Sequence, residues 1–152
     1  MRVVVTGATS FVGAAAIRQL VQSGHEVCAV VRPRSRNLEN LNKQVPEDCR
    51  SRVQVLELDM REIEQTAERI SRPGDAWLHT CWEGAGSDNR TQRDVQQANV
   101  ISSLAAVRAA AAVGCKRFLF TGSQAEYGVC HERITEDMPC RPVSEYGKAK
   151  VD

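Results

Sequence analysis

The sequence lacks several features that would place it in a specialised class. No apolar run approaches the roughly 20 residues of a membrane-crossing helix, which predicts a soluble chain without a membrane partner. The opening MRVVVTG has none of the charged, apolar and small-residue regions of a secretory signal, so Met1 is expected to begin the folded domain in the cytoplasm. Six cysteines occur without a C-x-x-C pair, so neither a zinc site nor a redox motif is expected, and reduced buried thiols are. Twenty basic residues oppose nineteen acidic ones, and a net charge of +1 is too small to draw the chain to nucleic acid or an anionic membrane. Repeats and low-complexity segments are also missing. What remains is 152 residues of ordinary globular composition, enough for one domain that buries roughly two thirds of its unfolded surface.

The order of elements is informative. Val3–Val5 read as a buried strand, followed by a glycine turn and a helix from about Val12 to Ser23 that Gly24 closes. EVCAVV (26–31) and VQVLEL (53–58) read as further strands, separated by Pro33 and a polar segment. Residues 61–71 have helical composition and end at Pro73-Gly74, before a fourth strand at about 76–80. A long helix from Thr91 to Val113 leads through Gly114 to a fifth strand, RFLFTG. Strands alternating with helices predict an α/β fold: a Rossmann-like, doubly wound parallel sheet with helices on both faces. Beyond Gly128, Pro139 and Pro142 mark a loop, and a last helix is expected near Ser144. The chain then reads as truncated, an incomplete dinucleotide-binding domain over residues 1–152.

VVVTGATSFVGAAAIRQL departs from the strict G-x-G-x-x-G fingerprint. Glycines in such a turn allow positive φ and close backbone approach to a pyrophosphate, while the helix N-terminus offers free amides and a positive dipole end. Gly7 and Gly13 suit those tasks, but Ser10 stands where a middle glycine is expected. Its Cβ would crowd a phosphate, or its hydroxyl would donate to one. The positions expected to hold the cofactor here are Gly7, Ser10, Phe11, Val12 and Gly13.

No acid ends the second strand. A carboxylate there would accept from ribose hydroxyls and select NAD, whereas Arg32, with Arg34 and Arg36 nearby, would attract a 2′-phosphate. NADP is therefore expected in preference to NAD. Arg34 and Arg36, taken singly, read as solubilising surface residues.

The glycine spacing resembles the T-G-x-x-G-x-x-G loop of the short-chain dehydrogenase/reductase superfamily, in its extended branch of NAD(P)-dependent epimerases and dehydratases. LELDMRE resembles that branch's third-strand ending, which implies Asp59 and Met60 beside the adenine; Asp59 alone reads as a helix cap. DAWLHTCWEG is similar to the segment flanking the nicotinamide ribose, which puts Thr80, Cys81 and Trp82 there, with His79 supporting the strand end. Asn99, in QQANVISSLAAV, matches an asparagine near the cofactor.

GSQAEYG followed by ITEDMPCRPVSEYGKAK carries the closest resemblance, with Glu136, Pro139, Pro142, Tyr146, Gly147 and Lys150 in register. It implies that Ser123 orients the substrate oxygen, Tyr146 is the acid/base, and Lys150 holds the nicotinamide ribose while hydride moves to or from the cofactor. Tyr146 and Lys150, four residues apart, would share a helix face, and an ammonium near a phenol favours the phenolate.

The resemblance covers the chain but only the cofactor half of the family's usual architecture. It implies an NADP-dependent oxidoreductase or epimerase acting on a nucleotide sugar. Gln124 and Ala125, where a dehydratase carries an acidic pair, favour simple reduction or epimerisation. The alternative is a non-catalytic NADP-binding module or an inactive fragment. A homodimer through the helix from Thr91 is also implied.

Overall fold

The computed structural model describes residues 1–152, apart from the side chain of Ser87. Two compact units are formed, Met1–Cys81 with Leu104–Phe120, and Trp82–Ser103 with Thr121–Asp152.

The first unit holds a five-stranded, wholly parallel sheet. Its strands are β1 (Arg2–Thr6), β2 (Glu26–Val31), β3 (Val53–Glu57), β4 (Ala76–His79) and β5 (Arg117–Phe120), in the order β3-β2-β1-β4-β5. β1 is therefore the point at which the order reverses, where open α/β sheets bind ligands beyond the strand ends. Its Val3, Val4 and Val5 are all buried because helices cover both faces. Side chains alternate across the sheet, so Val3 and Val5 pack with Ile17, Val21 and Leu41 on one face. Val4 packs with Trp77, Ala106, Ala109 and Val113 on the other.

Helix α1 (Phe11–Gln22) buries Gly13, Ala14, Ile17 and Val21, the spacing of one helical stripe. Helix α2 (Leu38–Gln44) occupies part of the polar segment after β2 and is anchored by buried Leu41. A 3₁₀ helix over Glu47–Arg52 then leads into β3.

The sequence-predicted helix at 61–71 is replaced by a 3₁₀ helix over Met60–Gln65 and a single turn, α3 (Thr66–Arg69). The reason is the spacing of the inward residues. Ile63 and Thr66 are fully buried and Met60 partly so, a period of three that matches three residues per turn. The Thr66 hydroxyl donates to the Ile63 carbonyl at 2.6 Å and secures the junction.

Helix α4 (Arg93–Ala112) starts in the second unit and ends in the first, while α5 (Glu145–Val151) lies in the second. No helix among the described residues is long and apolar enough to cross a membrane.

Candidate functional site

In the first unit the β1–α1 turn is built for close packing. Gly7 has φ +73°, and a Cβ there would lie 2.7 Å from the Cys81 nitrogen; a Cβ on Gly13 would lie 2.2 Å from the Gly7 carbonyl oxygen. Both positions require glycine. Ser10 is the N-cap of α1, and its hydroxyl accepts from the Gly13 amide at 3.0 Å.

That bond uses an amide that a glycine at position 10 would leave open. Among the described residues, no acceptor engages the amides of Phe11 and Val12, and the first turn carries no acid. Phe11 is 84% exposed. This helix end therefore fits a phosphate, with two amides free and one taken by serine.

Arg32, Arg34 and Arg36 are exposed and form no ion pair among the described residues. Their turn is tied by Ser35, whose amide donates to the Arg32 carbonyl at 3.1 Å. The Ser35 hydroxyl also lies 3.4 Å from that of Thr9, joining the arginine turn to the glycine turn. Asp59 caps its 3₁₀ helix by accepting from the Arg61 amide at 3.0 Å, while Met60 packs against the second core face.

His79 is a core residue. The indole N–H of Trp77 donates to the Thr6 hydroxyl, 3.4 Å away, and that hydroxyl shares a hydrogen bond with His79 Nδ1 at 2.7 Å. Phe118 and Phe120 stack on its ring. Thr80 closes the strand end by donating to the Thr6 carbonyl at 2.9 Å.

In the second unit, α5 presents Tyr146 and Lys150 on one side, both buried. Ser144 caps the helix by accepting from the Gly147 amide at 3.0 Å. A Cβ on Gly147 would lie 2.4 Å from the Ala125 carbonyl oxygen, so glycine lets the helix meet the 3₁₀ turn Gln124–Glu126. Ser123 heads that turn in a capping box. Its hydroxyl accepts from the Ala125 amide at 3.2 Å and its own amide donates to Glu126 at 2.5 Å. The hydroxyl proton of Ser123 is still able to donate outward.

The Lys150 ammonium donates to the Thr121 carbonyl at 2.9 Å and lies 3.6 Å from the centroid of the Trp82 indole. It is 5.9 Å from the centre of the Tyr146 ring. The Arg90 guanidinium sits over that ring at 4.6 Å, and Trp82 meets it edge-on. Two cations thus border the phenol. Of the residues singled out in the sequence, Trp82, Tyr146 and Lys150 come together here.

Asn99 spends its amide on the chain itself: it accepts from the Glu83 amide at 2.8 Å, and donates to the Glu83 carbonyl at 2.8 Å and the Val95 carbonyl at 3.0 Å. Arg90 and Gln96 join the site without being singled out in the sequence. A polar residue on the buried side of α4 is the available signal for Gln96, and nothing local marks Arg90. A cavity of about 230 Å³ in this unit is bordered by Arg93, Gln96, Glu145 and Lys148, among others, and not by Tyr146. There the Lys148 ammonium, 2.6 Å from Glu145, holds that carboxyl below the usual carboxylate range.

A parallel sheet reversing at β1, a glycine turn opening α1 and a Tyr-x-x-x-Lys helix define a dinucleotide-binding domain of the short-chain dehydrogenase/reductase kind. The chain belongs to the NAD dependent epimerase/dehydratase family, whose model matches residues 3–152. It is 29% identical over 155 residues to a UDP-glucose 4-epimerase of Corynebacterium glutamicum, covering 99% of this chain and 44% of that protein. To a dTDP-6-deoxy-L-talose 4-dehydrogenase (NAD(+)) of Aggregatibacter actinomycetemcomitans it is 24% identical, covering 99% and 52%. The chain thus spans about half the length of the curated relatives it matches. The fold is also that of a UDP-glucose-4-epimerase from Stenotrophomonas maltophila solved with bound NAD and formylated UDP-arabinopyranose. The TM-score is 0.81 at 21% identity, covering 99% of this chain and 46% of that one.

Proposed function

We propose that the chain is the cofactor-binding and catalytic part of an NADP-dependent oxidoreductase or epimerase acting on a nucleotide-sugar carbonyl or alcohol. The observation that carries this reading is the buried Tyr146–Lys150 pair on α5, in a chain whose family match runs over residues 3–152. The names of the curated relatives, for a UDP-sugar epimerase and a dTDP-sugar dehydrogenase, support a nucleotide sugar as substrate.

The bound cofactor supplies or accepts hydride at its nicotinamide ring. In the first unit, the amides of Phe11 and Val12 would hold the pyrophosphate, and Gly7 and Gly13 would keep the turn tight enough to present them. Arg32 would bind the 2′-phosphate, which supports NADP over NAD. Asp59 and Met60 would border the adenine.

In the second unit, Tyr146 would exchange a proton with the substrate oxygen, and Lys150, on the same side of α5, would donate to the ribose. Ser123, whose oxygen already accepts from Ala125, donates its proton to the same substrate oxygen.

On the full chain, Tyr146→Phe is expected to abolish turnover of a UDP- or dTDP-sugar with NADPH while leaving NADPH binding intact. Undiminished turnover would remove Tyr146 from the acid/base role. A second reading, a non-catalytic NADP-binding module, is favoured by Ser10, which takes up the Gly13 amide. Binding of NADPH without turnover in the parent would select it.

A further inference from the structure

Trp82 occupies an unusual position beside the α5 pair. Its indole face lies under the Lys150 ammonium at 3.6 Å, and its ring meets Tyr146 edge-on at 5.9 Å between centroids. An ammonium on an indole face is attracted by the negative centre of the π-system, and the attraction grows when water is excluded. Here Lys150 is buried, so the contact lies in the stronger regime.

The indole is itself held. Its N–H donates to Gln96 Oε1 at 2.9 Å, and Gln96 is almost completely buried on α4. The other end of that amide donates to the Gly84 and Asn89 carbonyls, at 3.1 and 2.9 Å. With both carbonyl acceptors on one side and the indole donor on the other, a flipped Gln96 would face donors with donors and acceptors with acceptors. The amide therefore has one orientation, and so does the indole it holds.

The ammonium is located from two directions, by the Thr121 carbonyl and by the ring face. A lysine has four rotatable bonds, and each contact on the ammonium narrows the positions it can take.

We infer that Trp82, fixed by Gln96, is a positioning residue that sets the Lys150 ammonium beside Tyr146. Its catalytic meaning rests on the Tyr146–Lys150 assignment proposed above. The stack itself does not.

The test is carbon-13 NMR of the full chain labelled at lysine, which has only Lys43, Lys116, Lys148 and Lys150 to resolve. Lys150→Arg assigns the Lys150 signal. Ring current from the indole is expected to move its ε-methylene resonance upfield of the other three. The displacement should vanish in Trp82→Leu and shrink in Trp82→Phe, which keeps an aromatic face, and in Gln96→Leu, which releases the indole. If Trp82→Leu does not fold, the other two variants decide.

In a turnover assay Trp82→Leu should lose about tenfold in kcat, the scale of a desolvated cation–π contact. Trp82→Phe should recover part of that loss. A parent Lys150 resonance coincident with the exposed lysines, or one indifferent to both Trp82 variants, overturns the inference. An inactive parent overturns the assigned reaction instead, and the NMR shifts then decide alone whether Trp82 fixes the ammonium.

Discussion

The Ser10 hydroxyl accepts from the Gly13 amide at 3.0 Å, so the residue that replaces the expected middle glycine serves as the cap of α1. Capping and phosphate binding compete for the same helix-end donors. Ser10→Gly should therefore bind NADPH at least as tightly as the parent. Folding stability should fall by only a few tenths of a kcal/mol, since glycine is itself an adequate N-cap. Fluorescence titration and denaturant unfolding check the two halves, and a clear loss of affinity would reject competition at this turn.

Arg32 is exposed and has no ion-pair partner among the described residues. A guanidinium on a phosphate contributes about 1.5–3 kcal/mol. Arg32→Ala should then weaken NADPH by about tenfold or more and leave NADH nearly unaffected. Dissociation constants for both nucleotides measure this. Parental preference for NADH would defeat the NADP assignment.

Thr6 serves two buried partners at once, accepting from Trp77 and sharing a hydrogen bond with His79 Nδ1. Thr6→Val keeps the shape and removes both bonds, stranding the Trp77 N–H and His79 Nδ1 in the core. Each stranded group costs about 1–3 kcal/mol, so a total near 3 kcal/mol is expected in urea unfolding. A change within about 0.5 kcal/mol, the range of an ordinary surface substitution, would contradict the hydrogen-bond pattern.

Burial, and after it the charge of Asp75, push the Cys115 thiol from 9.0 up to about 11, and burial also raises Cys28. Each thiol holds its proton more tightly folded than unfolded. The Cys115 contribution to stability is complete below pH 9 and is lost as pH rises toward about 11. Urea midpoints should fall across that window, and Cys115→Ala should flatten the fall. An unchanged slope in that variant would remove Cys115 as a cause.

The sheet is legible in the sequence because parallel strands buried on both faces are written as unbroken β-branched runs, as in Val3–Val5 and EVCAVV. Tyr146 and Lys150 are legible because their spacing is local to one helix. Helix α2 is not, because seven residues with only Leu38 and Leu41 turned to the core carry no measurable period. Residues 60–69 mislead because helical composition does not distinguish three residues per turn from 3.6, and only the burial of Ile63 and Thr66 does. Arg90 lies beyond reach for another reason. Its guanidinium meets a ring 56 positions away in sequence, from a segment that is turn and 3₁₀ rather than regular helix.

Asn99 mimics a neighbouring strand. By offering its oxygen to the N–H and its N–H to the carbonyl of Glu83, it supplies a single rung of sheet-like pairing. With Gln96, whose amide donates to the Gly84 and Asn89 carbonyls, Asn99 closes the stretch from Glu83 to Asn99 by side-chain carboxamides rather than by a ladder. Losing the Asn99 side chain would release the Glu83 peptide, and the Glu83 amide proton would then exchange faster while the turns held by Gln96 stay closed.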